Sequence, residues 1–170
     1  MAFIMTRLAR IVYTSHATSD LTQEEIQSLT AKAAKANHAA GITGVLLFGG
    51  RRFIQLIEGD PLVIETLFRE KIIQDARHIN CEILLRESID ERLCPNWSMG
   101  CLYITDDDTT KQQAWDQFSQ AIMQSRRYNL LSNDAAVRCI AEFIQSFGDE
   151  VDQATMAGWL TSIRGLDKAS

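Results

Sequence analysis

Residues 51–59, R-R-F-I-Q-L-I-E-G, place a glutamine in the middle of an apolar strand. Strand side chains alternate between faces, so Phe53, Gln55 and Ile57 point one way while Arg52, Ile54, Leu56 and Glu58 point the other. Both faces are therefore largely apolar, and the chain has to fold so that a core-facing carboxamide finds hydrogen-bond partners. An amide left unpaired there costs about 1–3 kcal/mol, which favours Leu or Val at this position unless something buried brings matching donors and acceptors.

The chain has 170 residues, enough for one domain with an appendage that buries roughly 70% of its unfolded surface. Its 46% apolar and 23% charged residues, with only 2 prolines, describe a globular protein and exclude a disordered or collagen-like one. A net charge of −5 without any basic run argues against nucleic acid as a direct partner. The first residues, M-A-F-I-M-T-R-L-A-R, contain no apolar stretch of signal-peptide length, and no later one approaches the roughly 18 residues of a membrane span. The expected location is the cytoplasm, with no membrane contact. Cys81, Cys94, Cys101 and Cys139 form no C-x-x-C pair, so free buried thiols are expected in place of zinc or disulfides. His16, His38 and His78 complete no metal-ligand spacing.

Residues 8–15, L-A-R-I-V-Y-T-S, read as a first strand, with Ala9, Ile11, Tyr13 and Ser15 on one face. Thr22 followed by Glu25 makes a capping box for a helix that stops at Gly41 and carries Ile26, Leu29, Ala33, Ala36, Asn37 and Ala40 at spacings of three and four. Gly49-Gly50 separates I-T-G-V-L-L-F from the Gln55 strand, a hairpin signal. Asp60-Pro61 caps and opens a second helix that should run to about Ala76. C-E-I-L-L-R-E reads as a fourth strand and W-S-M-G-C-L-Y-I as a fifth, with Trp97, Met99, Cys101 and Tyr103 sharing a face. The order βαββαββ predicts a ferredoxin-like α+β sheet with two helices on one face.

After the acidic run 106–108, read as a solvated linker, Ala114, Trp115, Phe118, Ala121 and Ile122 form one amphipathic stripe and Val137, Ile140, Ala141, Ile144 and Phe147 another. A final helical turn is expected around Trp159. This C-terminal extension is too small for a core of its own, so its stripes must rest on the sheet or on another copy of the chain.

Tyr13, Asn37 and Gln55 thus converge between sheet and helices. Their surroundings, N-H-A-A-G-I-T-G-V-L-L-F, R-F-I-Q-L-I-E-G, I-I-Q-D-A-R-H and W-S-M-G, resemble the BLUF domains, bacterial blue-light receptors that hold a flavin. The resemblance spans about residues 7–104 and divides the chain into a flavin-binding domain, 1–104, and a helical output or oligomerisation extension, 105–170. It implies FAD as cofactor, with FMN or riboflavin as alternatives. It further implies that Tyr13 donates to Gln55, that Gln55 meets the ring near N5 and O4, and that Asn37 binds a ring carbonyl and N–H. By the same likeness Ile72 packs on the ring with Leu29 opposite, and Lys71, Arg77 and His78 lie near its polar edge or phosphates. Trp97 and Met99 match the fifth-strand pair that responds to the glutamine. Before the tryptophan this chain reads R-L-C-P-N, where the family often has an arginine and an aromatic residue, so the placement of Trp97, in or out, stays open.

Singly, Tyr13, Asn37 and Met99 read as ordinary packing or surface residues, Trp97 as plain packing and His78 as a helix-end residue; four motifs in order reverse this for the first three. The implied switch is light-driven loss and return of an electron and proton at Tyr13, leaving Gln55 rearranged by rotation or tautomerisation. One hydrogen bond is worth about 1 kcal/mol net, whereas inverting a 1:99 equilibrium takes about 5.5 kcal/mol. A homo-oligomer or a separate downstream protein is therefore the expected readout. Competing readings are a flavin enzyme or other small-molecule enzyme and a chromophore-free oligomeric adaptor. No nucleophile–base pair or Gly-rich phosphate loop supports an enzyme.

Overall fold

A computed structural model describes residues 7–105, 107–122 and 134–147. In chain order the elements are β1 (Leu8–Ala17), α1 (Gln23–Ala39), β2 (Thr43–Gly49), β3 (Arg52–Gly59), α2 (Pro61–Leu67), β4 (His78–Ile89), β5 (Gly100–Tyr103), α3 (Asp108–Ile122) and α4 (Ala135–Gln145). The sheet runs β4-β1-β3-β2-β5, parallel only between β2 and β5. This is the expected ferredoxin-like α+β arrangement, extended by one strand beside β2.

Local chemistry explains where the elements begin and turn. Thr22 Oγ1 accepts from the Glu25 N–H while the Glu25 carboxylate accepts from the Thr22 N–H, closing the capping box that starts α1. Asp60 accepts from the N–H groups of Leu62 and Val63 and Pro61 opens α2. The β2–β3 hairpin turns through Gly50 and Arg51, both at positive φ (53° and 62°), the pattern of a type I′ turn. A Cβ on Gly50 would meet the Phe147 ring at 3.1 Å, so the turn must be bare for α4 to close over it.

Three elements differ from the sequence reading. The second helix does not continue to Ala76: after Leu67 it widens into a π-helical turn, Phe68–Ile72, where the Ile73 N–H reaches back to the Phe68 carbonyl at 3.0 Å. Asp75 then accepts from the backbone N–H of Arg77, a side-chain turn that ends helical winding. β4 begins at His78, three residues before the predicted C-E-I-L-L-R-E, so His78 is a strand residue and not a helix end. β5 is shorter than predicted, because residues 97–99 lie outside it.

The core has two faces. Under α1 and α2 lie Ile11, Tyr13, Ile57, Ile64, Phe68 and Met99, continued by Ile26, Phe48 and Phe53. On the opposite face Val12, Val45, Leu47, Ile54 and Leu56 pack against Trp115 and Phe118 of α3 and Val137, Ile140 and Ile144 of α4. The C-terminal stripes therefore rest on the sheet. The expected turn around Trp159, the side chains of Ala121 and Ile122, and Asp106 lie outside the described residues.

Candidate functional site

A cleft holding about 780 Å³ of empty space, open mouth included, separates α1 from the α2 end of the sheet. Into it the fold brings Tyr13, Gln55, Asn37, Leu29, Ile72, Lys71, Arg77, His78 and Met99, nine of the ten residues singled out in the sequence.

Tyr13 and Gln55 are directly opposed in the β1–β3 ladder, and the phenol hydroxyl donates to Gln55 Oε1. Gln55 Nε2 donates to Met99 Sδ at 3.3 Å, a weak acceptor that leaves the amide donors poorly satisfied. Burial, reinforced by the charges of Cys81 and Asp75, raises the Tyr13 pKa far above its ordinary value, so the phenol stays protonated. Phe68 meets Tyr13 edge-on with ring centroids 5.2 Å apart, fixing the ring.

Asn37 projects from α1, 4% exposed, and its Nδ2 donates to the Ser98 carbonyl at 3.0 Å. No described residue donates to its Oδ1. Leu29 and Ile72 face the cleft from α1 and the π-helical turn, while Lys71 and Arg77 stand at the mouth. Arg77 is held by Asp75, whose carboxyl it draws below the usual range chiefly through their side-chain hydrogen bonds. His78 bonds the Ile72 carbonyl through Nε2 at 2.6 Å and Ser15 Oγ through Nδ1 at 2.8 Å. Since a carbonyl only accepts, Nε2 donates to Ile72, and Nδ1 pairs with the Ser15 hydroxyl. His78 thus ties the π-helical turn to β1.

Trp97 is the exception. It packs half-buried against the core on the α3–α4 face, while Met99 lies on the cleft face. The expectation that Trp97, Met99, Cys101 and Tyr103 share one strand face is corrected accordingly. Pro95 and the turn from the Trp97 N–H to the Cys94 carbonyl, 3.3 Å, keep residues 94–97 out of the ladder. The indole lies over Gly100, where a Cβ would come within 2.0 Å of Cε3.

Thr30, Ala33, Leu46, Phe53, Leu67 and Asp75 also line the cleft and were missed by sequence reasoning. Ala33, one turn before Asn37, and Leu46, opposite Gln55 in the ladder, could have been found by register. The π-helical turn that aims Lys71 and Ile72 has no sequence signature. Among the described residues no group of three His, Cys, Asp or Glu could hold a metal ion, and no helix is long and apolar enough to cross a membrane.

Apolar walls, an unmatched Asn37 carbonyl and a half-satisfied Gln55 amide fit a flat heteroaromatic ring whose edge alternates donors and acceptors. The class so defined is an α+β ligand-binding domain. The family model described as "BLUF: Sensors of blue-light using FAD" matches residues 8–100, and the chain belongs to that family. It is a blue-light sensor built around a bound flavin. Its likeness extends to the blue light- and temperature-regulated antirepressor BluF of Escherichia coli (strain K12), 27% identical over 95% of this chain and 39% of that protein. The structure of Klebsiella pneumoniae BlrP1 with FMN and cyclic diGMP is 29% identical, with TM-score 0.67, over 81% of this chain and 34% of that one. The structure of BlsA in its photo-activated state is 26% identical, with TM-score 0.55, over 92% and 94% of the two chains. The chain thus spans about two fifths of the first relative and a third of the second.

Proposed function

We propose that Gln55 is the movable element of this light sensor, and that its signal leaves through protein contacts and not through substrate turnover. The observation that carries the reading is the asymmetry around the Gln55 amide: a strong donor, Tyr13, on its oxygen and a thioether on its nitrogen. A flavin held in the cleft, proposed to be FAD, would supply a light-driven oxidant. Tyr13 would pass an electron to that oxidant and its Oη proton to the hydrogen-bonded Gln55 Oε1, and would take both back. While the phenol lacks its proton it no longer donates to Gln55 Oε1, and the contact that fixes the amide orientation is lost. With Nε2 toward the phenol oxygen, Oε1 faces Met99 Sδ, and two acceptors repel. Met99 must then move, which makes it the first residue to register the switch.

In the same reading Asn37 holds the pyrimidine edge of the ring, Leu29 and Ile72 enclose its faces, and Lys71, Arg77 and His78 belong to its polar end. Trp97, on the far face, relays rather than binds. Residues 1–104 form the sensor and 105–170 the output or oligomerisation element, in a cytoplasmic protein that acts as a homo-oligomer or on a separate partner. The E. coli relative, named an antirepressor and similar over 95% of this chain, supports a partner readout.

Protein purified in dim light and examined by visible spectroscopy before and after blue light tests this. A yellow protein with a reversible red shift is expected. Net bleaching in the presence of an electron donor supports a flavin enzyme, and a colourless protein an adaptor.

A further inference from the structure

The strand pair that holds the switch also holds a buried charge cluster on its other face. Arg10 and Glu58 oppose each other in the β1–β3 ladder, three residues along from Tyr13 and Gln55, and the odd spacing turns their side chains toward α4. Arg10 is 4% exposed and Glu58 not at all. Arg10 Nε donates to Glu58 Oε1 at 2.8 Å, and Nη1 donates to Glu87 at 2.7 Å and to Asp134 Oδ2 at 3.3 Å. Glu58 also accepts from the backbone N–H groups of Leu93, at 2.8 and 3.0 Å, and Cys94, at 3.1 Å. Asp134 is the N-cap of α4, its Oδ1 accepting from Ala136 at 2.8 Å and Val137 at 3.2 Å.

Through Arg10, the Glu58 carboxylate that holds the loop leading to Trp97 and Met99 is therefore joined to the Asp134 carboxylate that caps the first turn of α4. Burial lowers the Arg10 pKa, but Glu58, Asp134 and Glu87 outweigh it and the guanidinium stays charged. A buried charge tolerates no unmatched partner, so a shift of Leu93 and Cys94 that turns the Glu58 carboxylate obliges Arg10 to re-aim its fork. The arm to Asp134 is the longest and the first to yield. At its other end α4 is held by Arg52, which donates to Ser146 Oγ at 2.8 Å and lies 4.4 Å from the Phe147 ring centroid. Motion at the Asp134 end would thus swing α4 about a fixed C-terminal contact.

We propose that the Arg10–Glu58 pair is the junction that couples the loop carrying Met99 to the docking of α4 through Asp134. The proposal rests on the reading of Gln55 as a light switch and adds its route to the C-terminal helices.

The test uses the full chain and two readouts in light and darkness: the flavin spectrum, and hydrogen exchange of residues 135–147 together with the alkylation rate of the half-buried Cys139. Wild type is expected to show the red shift and a light-dependent change in α4. Asp134→Asn, which keeps the capping oxygen but loses the charge, is expected to retain the red shift while the light-to-dark exchange ratio of α4 falls to about one. Glu58→Gln should do the same if it folds; Asp134→Asn carries the test if it does not. A merely structural role for Asp134 would raise exchange equally in light and dark and leave the ratio unchanged. A red shift with a wild-type ratio in Asp134→Asn, or with no α4 response in wild type, overturns the junction. Loss of the red shift from wild type itself overturns the Gln55 reading and the junction with it.

Discussion

Gln55 lies between Tyr13, which donates to its oxygen, and Met99, whose sulfur accepts from its nitrogen at 3.3 Å. The two contacts share one carboxamide, so neither can change without the other. A weak sulfur acceptor on one side also means that the orientation present, proposed to be the dark one, is favoured by little more than one hydrogen bond, about 1 kcal/mol.

Replacing Met99 by Leu preserves bulk while removing that acceptor. The variant should keep flavin and red shift, and because the dark orientation loses stabilisation, dark recovery should slow by about two- to fivefold, consistent with a contact of up to ~1 kcal/mol. Time-resolved visible absorbance after a blue pulse measures this.

Asn37 has one hydrogen bond to Ser98 and a carbonyl with no described donor, so its unmatched atoms are proposed to serve the ring. Asn37→Ala should weaken flavin retention by about 1–3 kcal/mol, roughly 5- to 150-fold in dissociation constant, with little loss of fold. Flavin fluorescence on dilution gives the value.

Tyr13 has a folded-state pKa raised above its unfolded value of about 10 by burial. Its contribution to stability is complete below that unfolded value and is lost as pH rises toward the folded one. Tyr13→Phe should therefore lose less stability than wild type between about pH 9 and 12. Urea unfolding across that range decides it, and equal slopes would remove Tyr13 from the alkaline transition.

The α3–α4 stripes cover Val12, Leu47, Ile54 and Leu56, so the extension is part of the core as well as the proposed output. Ile140→Ala should cost about 2–5 kcal/mol in chemical unfolding. Cutting the chain after Ile104 should expose that sheet face and cause association of the fragment, visible by light scattering.

Much of this arrangement was legible from periodicity and capping. Alternation gave the neighbours with which Tyr13 and Gln55 each share a face of their strand, and the Thr22–Glu25 box with the helical stripe put Asn37 on the apolar side of its helix, because these are local rules acting over a few residues; the pairing of Tyr13 with Gln55 across two strands came from the fold. What was not legible depends on contacts distant in sequence. The π-helical turn at Phe68–Ile72 is a hydrogen-bond choice made within a packed layer. Trp97 lies outside the expected strand after Pro95 and a turn onto the Cys94 carbonyl, in a loop whose Leu93 and Cys94 N–H groups are taken by Glu58, 35 and 36 residues before them. Alternation placed Glu58 only on the face opposite Gln55, and the fold alone shows it buried with Arg10.

The most direct measurement is the light-minus-dark visible difference spectrum of wild type beside Gln55→Leu and Tyr13→Phe, each with its bound flavin quantified. A reversible red shift in wild type, absent from both variants while flavin occupancy is retained, is the result this account predicts. A wild-type shift persisting in either flavin-loaded variant would contradict it.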